Sequence, residues 1–191
     1  MIIELKTARL LLRQWRPEDR APFAAMNADP RVMAQFPALL SAEQSDAMAA
    51  RIEERIASVG HGLWAVEERA SGAFIGFTGL VSVPPDIEVP VCDPPALEIG
   101  WRLATAFWRR GYATEAASAS LDAAFDRLGL ELVVSFTALT NLRSQAVMRR
   151  IGLRDLSRFT HPRIDAASPL SAHGLWGVRR DQHLNARTLH A

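Results

Sequence analysis

The sequence predicts a single α/β domain over residues 1–191, built on a central mixed and mostly antiparallel twisted sheet with helices on both faces. Three observations carry this. Strand-like and helix-like segments alternate along the chain; residues 63–83 read as an antiparallel hairpin; and residues 96–138 have the length of a right-handed strand–helix–strand crossover between parallel neighbours. With 191 residues, 49% hydrophobic and 23% charged, the chain has the make-up of one globular domain. A domain of this length buries about 70% of its extended-chain surface, enough for a core without disulfides or metals.

The elements follow in order. Residues 8–14 place Leu10 and Leu12 against Arg9, Leu11 and Arg13 as a short mixed strand, and Arg16-Pro17-Glu18-Asp19 opens a helix with proline and acids in its first turn. Residues 27–30 break that helix. Ser41 and Gln44 then form a capping box before a long amphipathic helix in which Met48, Ile52 and Ile56 recur every four residues, ended by Gly60 and Gly62. Residues 63–68 and 73–83 are strands joined at Ala70-Ser71-Gly72. Residues 83–95 hold five of the 11 prolines and predict a surface insertion. Residues 96–103 are a strand. Residues 111–128 are a helix facing inward through Ala113, Ala117, Leu121, Ala124, Phe125 and Leu128, with Gly129 as its C-cap. A buried strand over 131–138, a helix over 141–151 ended by Gly152, and strands at 154–159 and 174–179 complete the chain.

Composition excludes several classes of function. Lys and Arg number 22 against 21 Asp and Glu, a net charge of +1, so no global field gathers nucleic acid or an acidic membrane. No segment approaches the ~20 apolar residues of a membrane span, and charges at Glu4, Lys6, Arg9 and Arg13 interrupt any signal-peptide core. A cytoplasmic protein, monomer or homodimer, is expected. Cys92 is the single cysteine, so it forms no intrachain disulfide. No His, Cys, Asp or Glu set has metal-ligand spacing, and no metal is expected.

Two motifs carry chemistry. Residues 98–103, Glu-Ile-Gly-Trp-Arg-Leu, lead through a connection to Trp108-Arg109-Arg110-Gly111-Tyr112-Ala113-Thr114-Glu115. This is a strand, then a turn in which Gly111 permits an unusual dihedral, then a helix start whose free N–H groups suit a pyrophosphate, with Arg109 and Arg110 at the rim. The same pattern also describes an ordinary helix start with two solvated arginines. Next, Asn141-Leu142-Arg143-Ser144 opens a helix with two polar groups on one side, three residues apart. Asn141 alone also reads as an N-cap.

In this order and spacing the motifs resemble the GNAT superfamily of acetyl-coenzyme A dependent N-acetyltransferases, in particular the bacterial branch around the ribosomal-protein N-terminal acetyltransferases. The resemblance runs from Thr7-Ala8-Arg9-Leu10-Leu11-Leu12-Arg13 to the final strand. It implies a GNAT-like fold and a turn at Arg109, Arg110, Gly111, Tyr112, Ala113 and Thr114 whose amides hold the pyrophosphate of acetyl-CoA. Trp108 stands where the family writes Gln or Arg. It further implies pantetheine pairing with the backbone near Trp101 and Leu103 in the manner of an added strand, and a contact from Asn141 to the cofactor arm. Glu98 matches the carboxylate that serves many relatives as base, and Ser144 the hydroxyl that several place near the departing sulfur as an acid; the plain alternatives are an arginine partner for Glu98 and a helix-cap role for Ser144. The implied reaction is direct attack of a primary amine, of a protein N-terminus or a small molecule, on acetyl-CoA. The alternative on the same fold is a non-catalytic acyl-CoA sensor or partner module.

Remaining signals are weaker. Cys92 has no histidine near it in sequence and is expected to be a loop residue. Glu115 is explained by its place in the first helical turn. His161 and His173 form part of an acceptor pocket or are plain loop and strand residues. Trp15, Trp64, Trp101 and Trp176 are expected in strands as core or cleft wall, and Phe36 is a candidate acceptor-wall residue.

Overall fold

A computed structural model describes residues 2–90, 92–93 and 95–188. These form eight strands, β1 (Leu5–Lys6), β2 (Leu10–Arg13), β3 (Leu63–Glu68), β4 (Ala73–Ser82), β5 (Leu97–Leu103), β6 (Leu132–Ala138), β7 (Arg154–Thr160) and β8 (Ala172–Arg179). Five α-helices accompany them: α1 (Arg20–Ala28), α2 (Ala42–Val59), α3 (Tyr112–Asp126), α4 (Leu142–Arg150) and α5 (Arg180–Thr188). The fold is the mixed, mostly antiparallel α/β arrangement expected from the sequence. The chain divides into two compact units, residues 1–80 with 100–120 and residues 81–99 with 121–191.

In the first unit β1, β2, β3 and β4 pair antiparallel in that order, with the hairpin at 69–72 joining β3 to β4. The second half of β5 lies beside β4: Ala104 N donates to the Ile75 carbonyl and the Thr78 hydroxyl to the Gly100 carbonyl. This approach requires Gly76, at φ +143°, because a Cβ there would sit 2.1 Å from the Arg102 carbonyl oxygen. Ser41 caps α2 through the Gln44 amide, with Gln44 returning the bond, and Gly60 ends the helix in the left-handed region at φ +84°. Ile52 and Ile56 are buried on its inner face, whereas Met48 is half-buried. Trp15, Phe23, Phe74 and Phe77 form an aromatic cluster in the core. Beside it Arg13 is fully buried in ion pairs with Asp19 and Glu67.

In the second unit β5 pairs parallel with β6 at Leu97–Val133 and Glu98–Val134, and the Ser135 hydroxyl then donates to the Ile99 carbonyl. β8 pairs antiparallel with both β6 and β7. The Pro-rich segment has no helix or strand among its described residues; Val91 and Pro94 lie outside them. Val83, Val89 and Cys92 pack on the Ala96–Leu132–Val134–Leu175 cluster, and Asp86 clasps Arg163 at 2.6 Å.

Two short elements escaped the sequence reading, and one residue was misplaced. β1 is two residues long, too short for periodicity to register. α5 is strongly polar, but His183 and Arg187 dock it on Asp122 and Asp126 of α3. Trp15 lies just beyond β2 and not within a strand; its indole N–H donates to the Leu63 carbonyl at 2.8 Å. Within α3 the predicted face is buried at Ala117, Leu121, Ala124 and Phe125, while Ala113 and Leu128 are half-buried at the ends.

Candidate active site

The turn before α3 is built from two residues with positive φ, Arg109 at +61° and Gly111 at +80°. Gly111 adopts this region without strain; Arg109 does so at a cost, a feature that clusters at binding sites. The first bond of α3 runs from the Glu115 N–H to the Gly111 carbonyl at 3.0 Å. The amides of Tyr112, Ala113 and Thr114 therefore precede the hydrogen-bonded helix, and none donates to a described residue. Three N–H groups at a helix start form a cradle that fits a pyrophosphate. The Arg109 side chain is exposed and makes no ion pair among the described residues, whereas Arg110 lies 4.0 Å from Glu68.

Side chains behind the cradle lock it. Glu115 accepts from the Thr7 hydroxyl at 2.6 Å and from both the backbone and Nε of Arg9. Burial opposes ionisation there, but these bonds outweigh it and hold the carboxyl below the usual range. Thus Glu115 is more than a dipole partner; it ties the turn after β1 to α3. The Tyr112 hydroxyl donates to Glu68 and its ring carries the Arg9 guanidinium at 4.6 Å, so its side chain is committed to the fold. The Trp108 indole donates to the Leu103 carbonyl at 2.7 Å, which fixes the connection from β5.

In the first-unit part of β5 the pleat puts Trp101 and Leu103 on one face and Gly100 and Arg102 on the other. Leu103 is buried and Trp101 half-buried. Arg102 is buried, and sequence reasoning missed it: the signal was a cation at an alternating position of a mostly apolar strand.

In the second unit the Glu98 carboxyl has no hydrogen-bond or ion-pair partner among the described residues, and burial alone pushes it up to about 8. Such a group exchanges protons near neutral pH, as a general base must. Asn141 is the N-cap of α4: its Oδ1 accepts from the Ser144 N–H at 3.2 Å, and its Nδ2 donates to Thr137 Oγ1 at 2.9 Å and Ser144 Oγ at 3.0 Å. The structure therefore brings Asn141 and Ser144 together. The Ser144 oxygen accepts from Asn141, leaving its own hydrogen to be donated.

Also in that unit, the His161 and His173 rings lie 4.8 Å apart among Phe136 and Phe159. Burial lowers both pKa values; Arg163 adds to this at His161, and His161 adds to it at His173. Each ring is anchored by its Nδ1, His161 accepting from the Arg163 N–H and His173 meeting the Ser171 carbonyl. Phe36 belongs to the first unit, where it covers Arg102. Among the described residues no three His, Cys, Asp or Glu side chains could hold a metal, and no helix is long and apolar enough to cross a membrane.

Comparison with known proteins gives the family. Residues 9–154 match the model of an acetyltransferase (GNAT) domain. An uncharacterized protein of Bacillus subtilis, YkkB, is 30% identical over 151 residues, 78% of this chain and 84% of that protein. The FsC-acetyl coenzyme A-N(2)-transacetylase of Aspergillus fumigatus is 32% identical over 158 residues, 81% of this chain and 66% of that protein. A crystal structure of an acetyltransferase from Agrobacterium tumefaciens superposes with a TM-score of 0.74 at 27% identity, covering 94% of this chain and 95% of that one.

Proposed function

The chain belongs to the GNAT family of acetyltransferases, and on that premise we propose that it transfers the acetyl group of acetyl-CoA by direct attack of a primary amine, with Glu98 as base and Ser144 as acid. The family makes it an acetyl-CoA dependent acyltransferase acting on amines. The observation that carries the assignment of Glu98 is its unpartnered carboxyl with a pKa near 8.

The co-substrate supplies an activated thioester. The amides of Tyr112, Ala113 and Thr114 bind its pyrophosphate, with Arg109 and Arg110 adding charge at the rim and Gly111 giving the turn its shape. The backbone near Trp101 and Leu103 takes the pantetheine arm, and Asn141 touches that arm while capping α4. Amines are protonated at neutral pH and cannot attack until a proton leaves. Glu98 accepts that proton; the amine nitrogen bonds to the acetyl carbon as the carbon–sulfur bond breaks; and the Ser144 hydroxyl donates to the leaving sulfur and is restored by the second proton that the nitrogen gives up. The acceptor is a small-molecule amine or a protein N-terminus, and the N(2)-transacetylase name of the Aspergillus relative supports transfer to nitrogen.

The test is the melting temperature with saturating acetyl-CoA, with ATP and NAD as controls. Ligand at 100 times its Kd stabilises by about 2.7 kcal/mol, a rise of roughly 5–10 °C for a domain of this size. A rise with acetyl-CoA alone, followed by thiol release on adding an amine, supports the reading. A rise without release from any amine favours an acyl-CoA sensor, and no rise removes the cradle.

A further inference from the structure

Arg102 is buried in the first unit, and no carboxylate among the described residues pairs with it. Its Nη1 donates to Asn27 Oδ1 at 2.6 Å, and the Asn27 amide is itself fixed by donating to Ser45 Oγ at 3.1 Å. The Phe36 ring centroid lies 4.0 Å from the guanidinium carbon and that of Phe77 5.4 Å from it. Nε is buried without a partner, and Nη2 meets no acceptor among the described residues. Burial lowers the pKa to about 10, so the group stays cationic at neutral pH.

A neutral amide and two rings orient this cation but do not cancel its charge. For the fold alone, an apolar residue of similar volume avoids the desolvation cost of a charge. The free edge, Nε–H and Nη2–H, is the side-on fork that binds a planar carboxylate through two parallel hydrogen bonds. We propose that this edge of Arg102 is a carboxylate-binding subsite for the acceptor, so that the acetylated amine belongs to a molecule that also carries a carboxylate.

This inference rests on the acetyltransferase reading and narrows its acceptor. The pyrophosphate of the co-substrate already has the amides at Tyr112–Thr114. On the pleat of β5 Arg102 also falls on the face opposite Trp101 and Leu103. A phosphate dianion needs a second cation, and Arg31, in the loop that carries Phe36, is neutralised by Asp29 at 2.8 Å. Phe36 is 38% exposed and gives the subsite an outer wall that meets solvent.

The experiment measures thiol release at saturating acetyl-CoA with amines paired as acid and carboxamide. The probes are glycine, β-alanine, γ-aminobutyrate and lysine, each against its carboxamide, and alanylglycine against alanylglycinamide. The wild type is expected to prefer the acid of at least one pair by about tenfold or more in kcat/KM, carried by KM. Arg102→Gln should abolish that preference with the KM for acetyl-CoA unchanged, and Arg102→Lys should restore part of it. If Arg102→Gln does not fold, Asn27→Asp decides, since a carboxylate beside Nη1 neutralises the guanidinium in place and should cancel the preference. Three results overturn the proposal while acetyl-CoA still raises the melting temperature: equal use of acid and amide in every pair, no acid turned over, or a preference that survives Asn27→Asp. Failure to bind acetyl-CoA overturns the acetyltransferase reading itself, and the proposal with it.

Discussion

β2 and β5 each carry an arginine into the interior of the first unit, and the fold treats the two in opposite ways. Arg13 is 2% exposed and saturated: it forks onto both oxygens of Asp19, donates Nε to Glu67 at 2.7 Å and reaches the Gln14 carbonyl. Asp19 also accepts from the Arg16 N–H, which fixes the entry to α1. Among the described residues Arg102 has one neutral side-chain acceptor, and its Nε and Nη2 have none. The carboxylates repeat the contrast, since Glu115 is bound by Thr7 and Arg9 while Glu98 has no partner among the described residues. Where charge is compensated within the chain it holds elements in place. Where it is left uncompensated on β5, the missing partner is expected to come from a substrate.

Four substitutions sharpen or break this contrast. The largest effect is expected from Glu98→Gln, a loss of about 10²- to 10⁴-fold in kcat if Glu98 is the base. Its stability effect has the opposite sign. The Glu98 carboxyl titrates near 4.5 unfolded and about 8 folded, so its contribution is fully present below pH 4.5 and is lost as pH rises through 8. At pH 9 the glutamine variant should therefore melt higher than the wild type, while wild-type kcat climbs through about pH 8. Melting curves and a pH–rate profile check both.

Next comes Arg13→Met, which strands the buried Asp19 and leaves Glu67 to Arg16 alone; denaturant titration should show a loss of about 3–5 kcal/mol. Activity below the melting range should survive, and an equal loss of kcat would break the division between structural and chemical charge. Gly111→Ala forces a side chain to φ +80° and brings a Cβ 3.3 Å from the Arg9 guanidinium. It should cost about 1–2 kcal/mol and raise the KM for acetyl-CoA. Phe36→Ala is the mildest, with a several-fold rise in acceptor KM and an unchanged KM for acetyl-CoA expected from steady-state kinetics.

Much of the fold was legible because its signals are local. The Ser41–Gln44 box, the left-handed Gly60 and the Gly72 hairpin act within a few residues, and each appears in the structure as read. The parallel pairing of β5 with β6 followed from crossover length alone. α5 was not legible because its stability depends on Asp122 and Asp126, some sixty positions earlier in the chain. The site divides in the same way. Gly111 and the free amides after it are written in the turn, but the isolation of Arg102 depends on Asn27, Phe36 and Phe77, which sequence separates widely. Sequence shows a charged residue; only packing shows that its charge is unanswered.

Gly76 lets β4 and β5 come close enough that nothing larger than hydrogen fits against the Arg102 carbonyl. A saturation-mutagenesis map scored for growth or turnover should show a blank column at position 76, as severe as one at a reacting group. That intolerance would report the spacing between two backbones. A substitution at Gly76 shifts the whole strand that carries Trp101, Arg102 and Leu103, so loss of function there identifies a ruler and not a reagent.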